Sequence, residues 1–103
     1  MTSPMRIRAK AQGDVADVRV LMAHEMETGQ RKGSDGKLVP AWFIQTVEAK
    51  HNGKLVMTAQ WGPAVSKNPY LQFKVKGAKA GDKIEVVWKD NRGESRTDEV
   101  AIA

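Results

Sequence analysis

The chain has 103 residues, a formal net charge of +5 and no cysteine. That length supports one hydrophobic core without a staple, so a single domain spanning residues 1–103 is expected. The missing cysteine excludes disulfides, thiolate nucleophiles and Cys-ligated zinc or iron–sulfur sites; no apolar run approaches the ~18 residues of a membrane span, and "MTSPMRIRAK" lacks the apolar region of an export signal.

Short alternating runs follow one another along the chain, with almost no helical period. Met5 to Ala11 reads as a strand, and Gly13-Asp14 turns the chain into a second, Val15 to Met22. A polar stretch from Ala23 to Ala41, holding Gly29, Gly33 and Gly36, comes next. Connections in compact domains usually run about 4–6 residues, so one this long is expected to be either functional or disordered. Trp42 to His51 and Lys54 to Trp61 then flank Asn52-Gly53, a strong hairpin signal because a type I′ turn needs positive φ at both central positions. Pro63 and Pro69 in "GPAVSKNP" break the pattern before a strand at Tyr70 to Val75; "KGAKAGD" is a further turn, Lys83 to Lys89 a sixth strand, and "DNRG" leads into a last one near Ser95 to Ile102. Seven short strands predict an all-β fold, an immunoglobulin-like antiparallel β-sandwich without the Cys pair of antibody domains; a small barrel is the alternative.

Charge is unevenly spread. The long loop is balanced, with Arg31, Lys32 and Lys37 against Glu25, Glu27 and Asp35. The excess lies in Arg6, Arg8 and Lys10, and in Lys67, Lys74, Lys76, Lys79 and Lys83. Much of it alternates with Ile7, Ala9, Leu71, Phe73 and Val75, as the wet face of a half-buried strand does. No cluster interleaves Arg with aromatics and no helix carries a basic stripe, so neither nucleic acid nor a membrane is expected as a partner.

A two-residue turn at Asn52-Gly53 pairs His51 with Lys54, and in strict alternation Val47 with Thr58, Thr46 with Ala59 and Ile44 with Trp61. One face then carries Trp42, Ile44, Leu55, Met57, Ala59 and Trp61, the other Phe43, Val47, Ala49 and Val56. A hairpin apolar on both faces must cover the second one, with another protein or with its own long loop, unless Trp42 and Trp61 merely straddle the core edge.

Catalysis needs a nucleophile or an acid/base pair held by neighbours; the chain offers His24 and His51, no serine elbow, and glycines in no phosphate-loop pattern. His51 falls at the hairpin tip, where exposure is expected. Met22, His24 and Met26 in "MAHEM" are spaced by two, so an extended backbone would place them on one face, where thioether and imidazole suit Cu(I). Methionine at such positions more often fills a core. A copper-binding immunoglobulin-like module is the alternative function this spacing supports; that such a module would be periplasmic is implied only by the resemblance given next.

The runs "PMRIRAKAQGDVADVRVLMAHEMETGQR", "PAWFIQTVEAKHNGKLVMTAQWGPAVSKNPYLQFKVKGAKAGD" and "WKDNRG" resemble the SoxZ family, small subunits of the SoxYZ carrier of bacterial thiosulfate oxidation, over nearly the whole chain from Pro4. "HEMETGQR" and "WGPAVSKNP" are the most specific stretches. Where the family is expected to have proline after the histidine, this chain has Glu25, so no ring fixes φ there.

The resemblance implies a non-catalytic domain without cofactor or metal that binds SoxY, whose mobile C-terminal arm carries sulfur intermediates on a cysteine. It implies transient contact with a haem protein, a hydrolase and a sulfane dehydrogenase, and a periplasmic location reached by export folded with the partner. A chain without cysteine would not divert that sulfur by thiol exchange. The expected partner-binding surface is the long loop with "WGPAVSKNP" beside it. Trp42, Phe43 and Trp61 would be its apolar anchors and His24, Met26, Glu27, Thr28 and Arg31 its loop contacts; Pro40, Pro63, Ser66, Asn68 and Pro69 would shape the backbone.

Overall fold

In a computed structural model describing residues 2–103, the alternating runs form seven strands: β1 Arg6–Gln12, β2 Val15–Leu21, β3 Ile44–His51, β4 Lys54–Gln60, β5 Tyr70–Lys76, β6 Lys83–Asp90 and β7 Ser95–Ala101. All pairings are antiparallel, in one sheet of order β1-β2-β5 and another of order β4-β3-β6-β7. The architecture is therefore the immunoglobulin-like sandwich, not the closed barrel.

One core fills the space between the sheets. From the smaller come Ala9, Ala16, Val18, Val20 and Val75; from the larger come Ile44, Val47, Ala49, Ile84, Val86 and Trp88. Trp88, Met22 and Ile44 are the largest of the fully buried side chains. On β1, β2 and β5 the opposite parity faces water, which is why these strands read so cleanly in the sequence. The C-terminus seals one edge: Ala103 exchanges backbone hydrogen bonds of 2.9 Å with Ala9 and Ala11, and Met5 N–H donates to Asp98 at 2.8 Å.

The β3–β4 hairpin corrects the strict-alternation reading. His51 pairs with Lys54 through a turn whose Asn52 and Gly53 both have positive φ, 50° and 84°. Beyond the tip, the register shifts between Ala49 and Lys50, so that Val47 faces Ala59 rather than Thr58, and Thr46 faces Gln60. A second shift, between Ile44 and Thr46 on the β6 side, lets Ile44 pair with Asp90 and Thr46 with Lys89. A bulge inserts one residue and flips the parity of all that follow. Residues assigned above to opposite faces accordingly share the inner one: Ile44, Val47 and Ala49 are buried, with Met57, Ala59 and Trp61 packed against the same core. Only Leu55 and Val56, 48% and 39% exposed, remain as large apolar side chains on the wet side of the hairpin.

At the hairpin tip, His51 is half-buried instead of exposed. Its Nε2 lies 2.8 Å from Asp82 Oδ2, tying this turn to the one between β5 and β6. Hydrogen bonds from His51, the Lys79 amide and Asn52, in that order, pull the Asp82 carboxyl down to about 2.

Candidate partner-binding surface

Antiparallel topology brings the β2–β3, β4–β5 and β6–β7 connections to one end of the sandwich. The longest is an ordered arm. Glu27 and Trp42 exchange backbone hydrogen bonds of 2.6 and 3.0 Å, Val39 N–H donates to Arg31 at 2.7 Å, and Gly33 N–H to Lys37 at 2.8 Å. Its two limbs thus run antiparallel, as an irregular hairpin does. They are close enough that Gly29 is required: its φ is +85°, and a Cβ there would sit 3.1 Å from that of Ala41. On the outside, Glu27 accepts three contacts of 2.9–3.1 Å from the Arg31 guanidinium.

The base of the arm is held by His24, whose side chain is 1% exposed. The Met26 amide donates to its Nδ1 at 3.0 Å. An amide nitrogen can only donate here, so Nδ1 is unprotonated and the proton sits on Nε2, 3.1 Å from Asp90 Oδ2. Trp42 Nε1–H donates to the same oxygen at 2.8 Å, and the Arg92 and Glu94 amides each donate to Oδ1 at 2.9 Å. Burial acts most strongly on this carboxyl and pushes its pKa up; the hydrogen bonds from Trp42, His24, Glu94 and Arg92 together outweigh it and hold the pKa below the ordinary value. The imidazole is also enclosed by aromatic rings, with the Trp42 centroid at 5.0 Å and that of Trp88 at 5.1 Å.

Two neighbouring segments lock onto this base. Asn68, with φ +53°, donates its amide to the His24 carbonyl at 2.9 Å and accepts the His24 amide on Oδ1 at 3.1 Å. Lys67 pairs with Glu25 at 3.3 Å, and Met22 N–H donates to Pro69 at 2.9 Å. From the β6–β7 turn, Asn91 accepts the Phe43 amide at 2.8 Å and donates to the Ala41 carbonyl at 2.9 Å, while the Arg92 guanidinium lies 4.3 Å from the Trp42 ring centre.

The residues expected to form the surface thus divide by depth. Thr28, Arg31, Pro40, Pro63, Ser66 and Asn68 are exposed, and Glu27, Trp42, Phe43 and Trp61 are half-buried. His24, Met26 and Pro69 are buried beneath them, where they can shape the surface without touching a partner. Sequence reading passed over Asp90, Asn91 and Arg92. One signal was present: positions 84, 86, 88 and 90 of β6 share a parity, so Asp90 continues the inward row of Ile84, Val86 and Trp88 and needs buried donors.

Met22, His24 and Met26 do turn inward together, as their spacing suggested. The donor atoms of His24 and Met26 are in use, however: both His24 nitrogens have partners, and Met26 Sδ accepts the Ile44 amide at 3.3 Å. The copper reading therefore has no ring nitrogen to rest on. Among the described residues, no group of three or more His, Asp or Glu side chains could hold a metal ion.

The chain is thus an all-β sandwich with an arm fixed at one end, its best-placed histidine serving as an internal brace. A family model described as sulphur oxidation protein SoxZ matches residues 5–101. The chain belongs to the SoxZ family and so has a role in a sulfur oxidation system. Comparison with curated proteins found no match.

Proposed function

We propose that the chain is the non-catalytic subunit of a SoxYZ carrier: it binds SoxY, whose C-terminal cysteine bears the sulfur intermediates. Through the arm and the 61–69 segment it would also meet the haem-containing, hydrolytic and sulfane-dehydrogenase enzymes. The supporting observation is the arm itself. It is long, ordered, braced from below by His24 and Asp90, and rimmed by half-buried Trp42, Phe43 and Trp61. Preformed loops with aromatic anchors lose little entropy on binding, and such anchors tend to dominate interface energy. A periplasmic location, reached by folded export with the partner, belongs to the same proposal.

The test replaces Glu27 and Arg31 together by alanine. Both lie on the outer side of the arm, Arg31 exposed and Glu27 half-buried, and an ion pair with one partner in water contributes little to stability, so the fold should survive. Affinity for the partner, or turnover of a Sox enzyme acting on the loaded carrier, is expected to fall about tenfold. Unchanged values for both would remove the arm from the proposal.

A further inference from the structure

The three-stranded sheet turns a strongly basic face to water. Cross-strand register places its outward side chains in rows: Arg6, Leu21 and Tyr70; Arg8, Arg19 and Gln72; Lys10, Asp17 and Lys74; Gln12, Val15 and Lys76. Six basic side chains stand there against the single carboxylate of Asp17, a balance equal to the +5 of the entire chain. The remainder of the molecule is neutral. The outward face of the larger sheet shows the contrast: Lys50 stands opposite Glu85, and Lys83 lies 3.2 Å from Glu99.

Charge of this kind does not serve the fold. Arg8 and Arg19 are directly opposed, an arrangement that costs stability. Asp17 bonds Arg19 at 3.0 Å and the Gln72 amide at 3.0 Å and stands opposite Lys10 and Lys74, leaving Arg6, Arg8 and Lys76 without a facing carboxylate in these rows. Tyr70, 57% exposed, and Leu21, 42% exposed, form an apolar patch at one end, in a shallow depression lined by Arg6, Arg8 and Arg19.

We infer that this face is a docking surface for an acidic protein surface. Arginine beside tyrosine and an aliphatic side chain is the composition of protein interfaces, and complementary charge steers such encounters. Nucleic acid fits less well. The carboxylate of Asp17 lies mid-face, and the sheet offers one exposed aromatic where single-strand binders use several.

The test titrates the full chain, at low salt, into fluorescein-labelled poly-L-glutamate and into a single-stranded deoxyoligonucleotide of equal length. Poly-glutamate is expected to bind the more tightly and to be released as salt shortens the range of the field. Arg8→Glu with Arg19→Glu should weaken its binding about tenfold or more, whereas Lys50→Glu with Lys89→Glu, on the balanced face, should change it less than about twofold. If the first pair unfolds the chain, Arg8→Gln with Arg19→Gln replaces it, with about a threefold loss expected. Equal losses from both faces, no binding of poly-glutamate, or tighter binding of the oligonucleotide would each overturn the assignment.

Discussion

Replacing Asp90 by alanine is expected to cost about 3–5 kcal/mol, measured by urea unfolding, because it strands several buried donors at once. The His24 Nε2–H, the Trp42 indole N–H and the Arg92 and Glu94 amides all donate to this carboxylate, whose side chain is fully buried. Asp90→Asn should cost less, about 2–3 kcal/mol, since one acceptor oxygen remains while an NH₂ meets donors on the other side. The pH dependence follows from the direction of the shift. The folded-state pKa lies below the unfolded value, so the native state favours the ionised form. This contribution is complete above the unfolded carboxyl pKa, about 4, and is lost as pH falls through the lower folded-state value. The gap in stability between wild type and Asp90→Ala should therefore narrow in acid. A gap that stays constant down to pH ~2 would show that Asp90 acts by shape and not by charge. Because the same carboxylate braces the arm, Asp90→Ala should also expose residues 23–41 to proteolysis before the strands are cut.

The second large effect concerns Trp88. It is 1% exposed, sits between the sheets and meets the His24 ring edge-on. Trp88→Ala should cost about 3–5 kcal/mol, as large-to-small core substitutions do, a large share of the roughly 5–15 kcal/mol typical of a domain. Trp88→Phe is the informative companion. The indole Nε1 has no hydrogen-bond partner among the described residues, so phenylalanine forfeits volume without forfeiting a bond. About 1–2 kcal/mol is expected. A phenylalanine as damaging as alanine would mean that a bound water or another group satisfies the indole N–H.

The strands were legible because each signal was local. Apolar residues alternate through β1, β2 and β5, Asn52-Gly53 marks the tip of the β3–β4 hairpin, and prolines stop the chain from pairing between β4 and β5. What escaped depended on non-local geometry. Period-two counting cannot see a bulge, and two of them bring Ile44, Val47 and Met57 to one face; the apolar second face that seemed to demand a cover shrinks to Leu55 and Val56. The site was half legible. The length of the 23–41 connection marked it as special, and "WGPAVSKNP" does lie against its base through Asn68 and Pro69. His24 drew attention for its chemistry, yet it is a buried brace, because its partner Asp90 lies 66 residues away in sequence. Likewise the basic runs around Arg8 and Lys74 looked like separate wet strand faces. β2, which adds Arg19 and stands between them, merges them into one surface.

The most direct test of the carrier proposal is to purify the tagged full chain from extract of its native cell under non-denaturing conditions, and to determine the intact masses of what accompanies it. The account predicts one stoichiometric second polypeptide, with a cysteine near its C-terminus bearing sulfur adducts that dithiothreitol removes. A chain recovered alone from cells oxidising thiosulfate would contradict it.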